Sequence, residues 1–236
     1  LVLGGAGGIG EAFTETLVRQ HQARVVWVGR RPEDADIAAR LDRLAQHGPR
    51  PVYLSADASQ LESLAAVRDQ VRARFGEIHG IVHAMIVLAD QSLARMDEAR
   101  FVSALPSKVD ASVQLARVFG ADALDFVLFF SSVQSLTKSA GQANYAAGCT
   151  FIDAFAQALR QAMPWPVKLV NWGYWGSVGV VASEAYRRRM AQAGIDSIEP
   201  PEAMALLQRL LAATVNQVVF LKTTSETPAL ALGTNT

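Results

Sequence analysis

The chain has 236 residues, half of them apolar, and sets 22 lysines and arginines against 22 aspartates and glutamates. That length and composition suit one α/β domain with a large core, and zero net charge offers no basic surface for a nucleic-acid backbone. The single cysteine, Cys149, rules out an internal disulfide and points to the cytoplasm; no apolar run approaches the roughly 20 residues that cross a bilayer, which speaks against a membrane.

Short β-branched runs alternate with amphipathic stretches of helical length, a pattern that predicts βαβ units and a mostly parallel sheet. Leu1–Leu3 is the first expected strand, and it opens the chain so directly that the sequence reads as a fragment of something longer. A helix over Gly10–Gln20, a strand over Arg24–Val28, a helix over Ile37–His47, a strand over Pro51–Ser55, a helix over Gln60–Phe75 and a strand over Gly80–His83 follow. One long helix is expected over Glu98–Phe119, then a strand over Phe126–Ser131, a helix over Asn144–Ala162 and a strand over Val167–Asn171. Gly173 to Glu199 carries four glycines and a polar helical piece around Ala185–Ala193, which suits a mobile lid. A helix over Pro201–Ala212, started by Pro200-Pro201, and a strand over Gln217–Leu221 complete a domain taken as residues 1–222, leaving 223–236 as a polar tail or linker.

Ligands of open parallel sheets sit beyond the carboxyl ends of the strands, and the informative residues fall there. After the first strand, Gly4, Gly8 and Gly10 stand at the spacing G-x3-G-x-G, with Gly5, Gly7 and Ile9 between them. Such a turn brings backbone amides at a helix start up to a pyrophosphate; a tight turn with no ligand is the alternative. The fold class is therefore Rossmann-like: a doubly wound parallel sheet of about seven strands flanked by helices. Arg30 and Arg31, where an NAD site more usually places an acidic residue, suit the 2′-phosphate of NADPH or are solvated surface. Asp57, next to Ala58, accepts from the adenine amine or caps a helix, and His83 and Ala84 end the fourth strand beside the same site. No metal site is expected.

Ser132 at a strand end and Tyr145 thirteen residues on can converge on one carbonyl oxygen, the hydroxyl orienting it and the phenol protonating it. A phenol with a pKa near ~10 needs a fixed cation close by, and Lys108 is the candidate.

This arrangement resembles the short-chain dehydrogenase/reductase superfamily in its glycine turn, serine and tyrosine, but the position four residues after the tyrosine, where that superfamily usually carries its lysine, is Cys149. The chain is more similar to ketoreductase domains of modular polyketide synthases, whose lysine comes from an earlier segment like Leu105–Asp110. Val82-His83-Ala84, Leu88-Ala89-Asp90, Phe129–Ser132, Gly141–Ala147 and Asn171-Trp172-Gly173 carry the likeness over nearly the whole chain, and the branch with a trans-acting acyltransferase matches best. The resemblance implies NADPH-dependent reduction of a ketone on an acyl chain carried by phosphopantetheine on an acyl carrier protein. It also implies other domains of the same megasynthase as partners, including an upstream structural half onto which the tail around Leu221 to Leu232 would pair. Asp90, Gln142, Trp172 and Gly173 are the expected substrate residues; Asp90 kept, with Thr137 in place of a tryptophan, favours the D-hydroxy product. In that family an asparagine usually stands where Cys149 is found. A free-standing carbonyl reductase and a non-catalytic scaffold are the rival readings.

Overall fold

The computed structural model describes residues 1–137, 139–178 and 184–224. Seven strands form one sheet: β1 (Val2–Leu3), β2 (Val26–Gly29), β3 (Val52–Ser55), β4 (Gly80–His83), β5 (Phe126–Ser132), β6 (Val167–Trp172) and β7 (Gln217–Phe220). Their order is β3-β2-β1-β4-β5-β6-β7 and every neighbouring pair is parallel. The central strands are apolar without alternation because both faces are covered: Leu3, Phe129 and Leu169 pack into one core, Val2, Leu128 and Val170 into the other. The doubly wound fold expected from the sequence is the one found, and each strand lies within about two residues of its predicted range.

The helices α1 (Gly8–His21), α2 (Ala35–Ala45) and α3 (Leu61–Phe75) link the first four strands. Asp34 starts α2 by accepting from the Ile37 amide, which moves that helix two residues ahead of its expected start. The long helix expected over Glu98–Phe119 is two, α4 (Glu98–Ser103) and α5 (Val109–Phe119). Pro106 breaks it, since its ring has no amide to donate and clashes with the preceding turn. Apolar residues at helical spacing continue through the break, so the periodicity conceals it. The break has a functional consequence: Lys108 becomes the residue that opens α5 instead of one inside a continuous helix.

A short helix, α6 (Gln134–Thr137), absent from the expected elements, leads from β5 towards α7 (Ala143–Ala162). The lid contains α8 (Glu184–Gln192), and α9 (Pro200–Ala212) carries the expected prolines in its first turn. The stretch 179–183 of the lid and the tail 225–236 lie outside the described residues, and with them most of the segment expected to pair with an upstream half. Thr223 bridges to Ile195 and the Thr224 amide donates to Gly194, so the start of the tail is fastened to the lid's last turn.

Because β1 is flanked by β2 on one side and β4 on the other, the chain reverses its winding direction between β1 and β4. A crevice opens there beyond the carboxyl ends of the strands.

Candidate active site

The crevice is a cleft of about 390 Å³ whose walls come from the turn after β1, the segment after β4, the end of β5, the start of α7 and the lid. Gly4 turns the chain out of β1 with φ +82, and a Cβ there would meet the Ala84 and Met85 backbone at 3.0 Å. A Cβ on Gly10 would meet the Gly4 carbonyl at 2.8 Å, and one on Gly5 would enter the Trp27 ring at 2.1 Å. Glycine is therefore required at all three by contacts within the chain. Gly7, Gly8, Ile9 and Gly10 face the cleft, and α1 begins there with no side chain capping its first amides. Uncapped amides at a helix start, in a cradle kept free of Cβ atoms, fit a dinucleotide pyrophosphate.

The adenosine-side candidates lie outside this cleft, at the ends of β2 and β3. Arg31 is engaged by Asp36 at 3.1 Å and Asp34 at 3.5 Å, while no carboxylate among the described residues pairs with Arg30. Asp57 caps no helix: one of its carboxylate oxygens accepts from the Ser59 amide and hydroxyl at 3.0 and 2.6 Å, in the turn before α3, which Gln60 opens without a side-chain cap, and Ala58 is buried. His83 does not line the cleft either. It is wholly buried behind it, tilted against Phe129 with ring centroids 5.7 Å apart, and burial, then the charge of Lys108, push its pKa down to about 3. It is neutral at every pH of interest; Ala84, the next residue, does reach the cleft.

Ser132, Tyr145 and Lys108 meet on the opposite wall. Ser132 ends β5, its hydroxyl donating to the Trp172 carbonyl at 3.3 Å and accepting from the Gln134 amide at 3.2 Å. Tyr145 stands in the first turn of α7. Burial holds its phenol well above the usual pKa; Cys149 acts in the same direction and Ser132 opposes it. The expected depression by Lys108 is not among the effects that act on the phenol, and Tyr145 is protonated at neutral pH, the form a proton donor needs. Lys108 is buried, lies over the Tyr145 ring at 5.9 Å from its centroid, and donates to the Phe130 carbonyl at 2.7 Å. Burial lowers its pKa.

At the mouth, Gln142 donates to Asp90 at 2.7 Å, joining two of the expected substrate residues. Trp172 is mainly a packing residue, edge-on to Phe130, Trp175 and Phe220, and it serves the site through its backbone. Gly173 lies where a Cβ would meet the Phe220 carbonyl at 2.9 Å.

A family model described as "KR domain" matches residues 1–177. The chain belongs to the KR family, the ketoreductase domains of polyketide synthases within the short-chain dehydrogenase/reductase superfamily. This KR domain is 53% identical over 227 residues to polyketide synthase PksN of Bacillus subtilis, covering 96% of the chain and 4% of that protein. It is 52% identical over 221 residues to polyketide synthase ThaG of Burkholderia thailandensis, covering 94% and 4%. The chain thus spans a small part of these relatives' length. Among solved structures, a ketoreductase domain from the bacillaene assembly line superposes with TM-score 0.86 at 26% identity, over 93% of this chain and 54% of that one. A structure of A-type ketoreductases from modular polyketide synthases gives TM-score 0.87 at 26% identity, over 98% and 50%.

The KR domain also uses residues that sequence reasoning passed over. Asn144, fully buried, donates to the Ala89 carbonyl at 3.0 Å and accepts from the Tyr145 amide at 2.9 Å, pinning the Asp90 loop to the first turn of the tyrosine's helix. Gly148 sits mid-helix, where glycine costs about 1 kcal/mol relative to alanine. A Cβ there would press on the Lys108 Cβ and Cγ at 3.0 and 3.2 Å, so the missing side chain is the channel through which the lysine stem passes. A glycine inside an otherwise strong helical pattern was the available signal. Gly148→Ala is expected to stabilise α7 locally yet lower kcat by about tenfold, because a sub-ångström displacement of a reacting group is costly; steady-state kinetics beside a thermal melt check it.

Proposed function

We propose that this KR domain uses NADPH to reduce a ketone on an acyl chain carried by phosphopantetheine on an acyl carrier protein, giving a hydroxyacyl thioester during polyketide assembly. The observation that carries this reading is the meeting of Ser132, Tyr145 and Lys108, from three separate elements, across one cleft from the glycine turn. The Gly7, Gly8, Ile9 and Gly10 backbone would hold the pyrophosphate, Arg30 and secondarily Arg31 the 2′-phosphate, Asp57 and Ala58 the adenine edge, and Ala84, backed by His83, the nicotinamide side. When bound, NADPH supplies a hydride to the carbonyl carbon. Ser132 orients the carbonyl oxygen by donating a hydrogen bond to it. Tyr145 transfers its phenolic proton to the same oxygen, which completes the alcohol, and Lys108 sets a positive charge beside the phenolate left behind. Asp90, held by Gln142, faces the incoming chain and supports the D-configured product.

The names of the relatives support an assembly-line setting, here taken as one with a trans-acting acyltransferase. That the solved ketoreductase chains are about twice as long supports an upstream structural half in the same polypeptide. Among the described residues no helix is long and apolar enough to cross a membrane.

Fluorescence titration with NADPH, followed by turnover of a model β-keto thioester, tests the reading: saturable binding and consumption of NADPH are expected, and neither would be seen with a scaffold. Arg30→Ala should cut the preference for NADPH over NADH by about tenfold or more, the worth of a charge-assisted hydrogen bond. An unchanged ratio of the two cofactors' kcat/KM takes that role from Arg30.

A further inference from the structure

Asp153 lies eight residues after Tyr145 and four after Cys149, so the three side chains follow one another along one face of α7. One of its carboxylate oxygens, Oδ2, accepts from the Ser135 hydroxyl at 2.7 Å and from the Asn171 amide at 2.8 Å. The same Asn171 amide lies 3.3 Å from the Ser131 hydroxyl and 3.2 Å from the Ser132 carbonyl, and Gln217 fixes the other end of that side chain at 2.9 Å. The carboxylate is thus tied to the strand end that carries the catalytic serine. Its second oxygen, Oδ1, is buried and has no hydrogen-bond partner among the described residues. A buried carboxylate oxygen left unpaired is costly, and an aspartate kept there needs an electrostatic reason.

The Lys108 ammonium provides one. It donates to the Phe130 carbonyl of β5 at 2.7 Å and lies over the Tyr145 ring of α7. It also acts through space on the neutral His83 of β4, and Cys149 and Asp153, one turn apart on α7, act on it through space and not as direct partners. Burial pushes the Cys149 thiol up, so it is uncharged at neutral pH and supplies no counter-charge. Asp153 is left as the carboxylate that acts on Lys108, where burial alone favours the neutral amine.

We propose that Asp153 is a positioning residue of the ketoreductase site: its carboxylate, anchored by Ser135 and Asn171, is the buried counter-charge that keeps Lys108 protonated beside Tyr145. The inference rests on the reading of Lys108 given above. With Cys149 unable to hold the lysine as an amide would, the charge four residues further along the helix takes on that task.

The test is the pH dependence of kcat for NADPH-driven reduction of a β-keto thioester, comparing the wild type with Asp153→Asn and Ser135→Ala. Asparagine retains a carbonyl for Ser135 and Asn171 but loses the charge, so Lys108 gives up its proton at lower pH. Asp90, which also bears on the Tyr145 phenol, is untouched in all three proteins. The alkaline limb of the profile should move down by about one pH unit or more in Asp153→Asn, as expected for losing an opposite charge. It should stay in place in Ser135→Ala, which removes an anchor and keeps the charge. An alkaline limb unmoved in Asp153→Asn overturns the proposal, as does an equal shift in both variants. If Asp153→Asn does not fold, Asp153→Ser, smaller and still hydrogen-bonding, carries the same expectation and the same refutation. Lys108→Met separates the two layers: should it keep wild-type kcat and profile, the reading of Lys108 itself is wrong, whereas an inactive Lys108→Met beside an unshifted Asp153→Asn refutes only the role of Asp153.

Discussion

Tyr145→Phe should lower kcat for thioester reduction by about 10²–10⁴-fold, the usual worth of a positioned general acid, while NADPH binding changes by no more than a few-fold. The substitution removes one oxygen and leaves the ring under Lys108, and Ser132 keeps its own contacts with the Trp172 carbonyl and the Gln134 amide. The fold has little to lose, since a buried phenol raised well above its usual pKa by burial is neutral and its removal strands no charge. Loss of NADPH absorbance under saturating substrate, paired with fluorescence titration of the cofactor, measures both quantities. Activity within tenfold of the wild type would mean that another group delivers the proton.

The second large effect concerns the turn. In Gly5→Ala the new methyl would lie 2.1 Å from Trp27 Cδ1 and 2.3 Å from Cγ. Trp27 cannot step aside: it is fully buried, and its indole nitrogen donates to Thr14 at 2.7 Å, whose hydroxyl in turn donates to the Gly10 carbonyl at 2.8 Å. That chain of two hydrogen bonds couples β2 to the first turn of α1, so relieving the clash shifts either the core or the phosphate cradle. Overpacking of this kind costs about 1–3 kcal/mol, which for a domain of this size lowers Tm by roughly 5 °C. NADPH affinity should fall by more than about tenfold as the Gly7 and Gly8 backbone moves. Calorimetry and cofactor titration on the same sample separate the two losses, and an alanine variant with wild-type Tm and affinity would show that the turn is softer than its contacts imply.

The fold was legible because its strands are unbroken apolar runs. β5 and β6, for instance, are buried along nearly their whole length, and nothing but a two-sided sheet interior accounts for such runs. The break at Pro106 was misread for a physical reason: Phe101, Val102, Leu105 and Val109 keep helical spacing across it, and the periodicity outweighed the proline. Ser132, Tyr145 and Lys108 could be named in advance because the first two lie on elements adjacent in sequence and the third falls in a segment with a family likeness. The network behind them could not. Ser135, Asp153, Asn171 and Gln217 come from four different elements, and only the sheet register together with the placement of α6 and α7 beside it brings them together. Burial, which a sequence does not display, is the largest influence on both the lysine and the phenol.

The passage of the Lys108 stem past Gly148 bears on domain engineering. Donor, cation and counter-charge are divided between the start of one helix and the face of another, and the bare backbone at 148 is the fitting between them. A chimera that imports the tyrosine's helix alone from a reductase bearing a larger residue at that position would arrive with its acid and no room for the amine. Crossovers in such hybrids should therefore be chosen so that residues 105–112 and 141–153 always travel as one cassette.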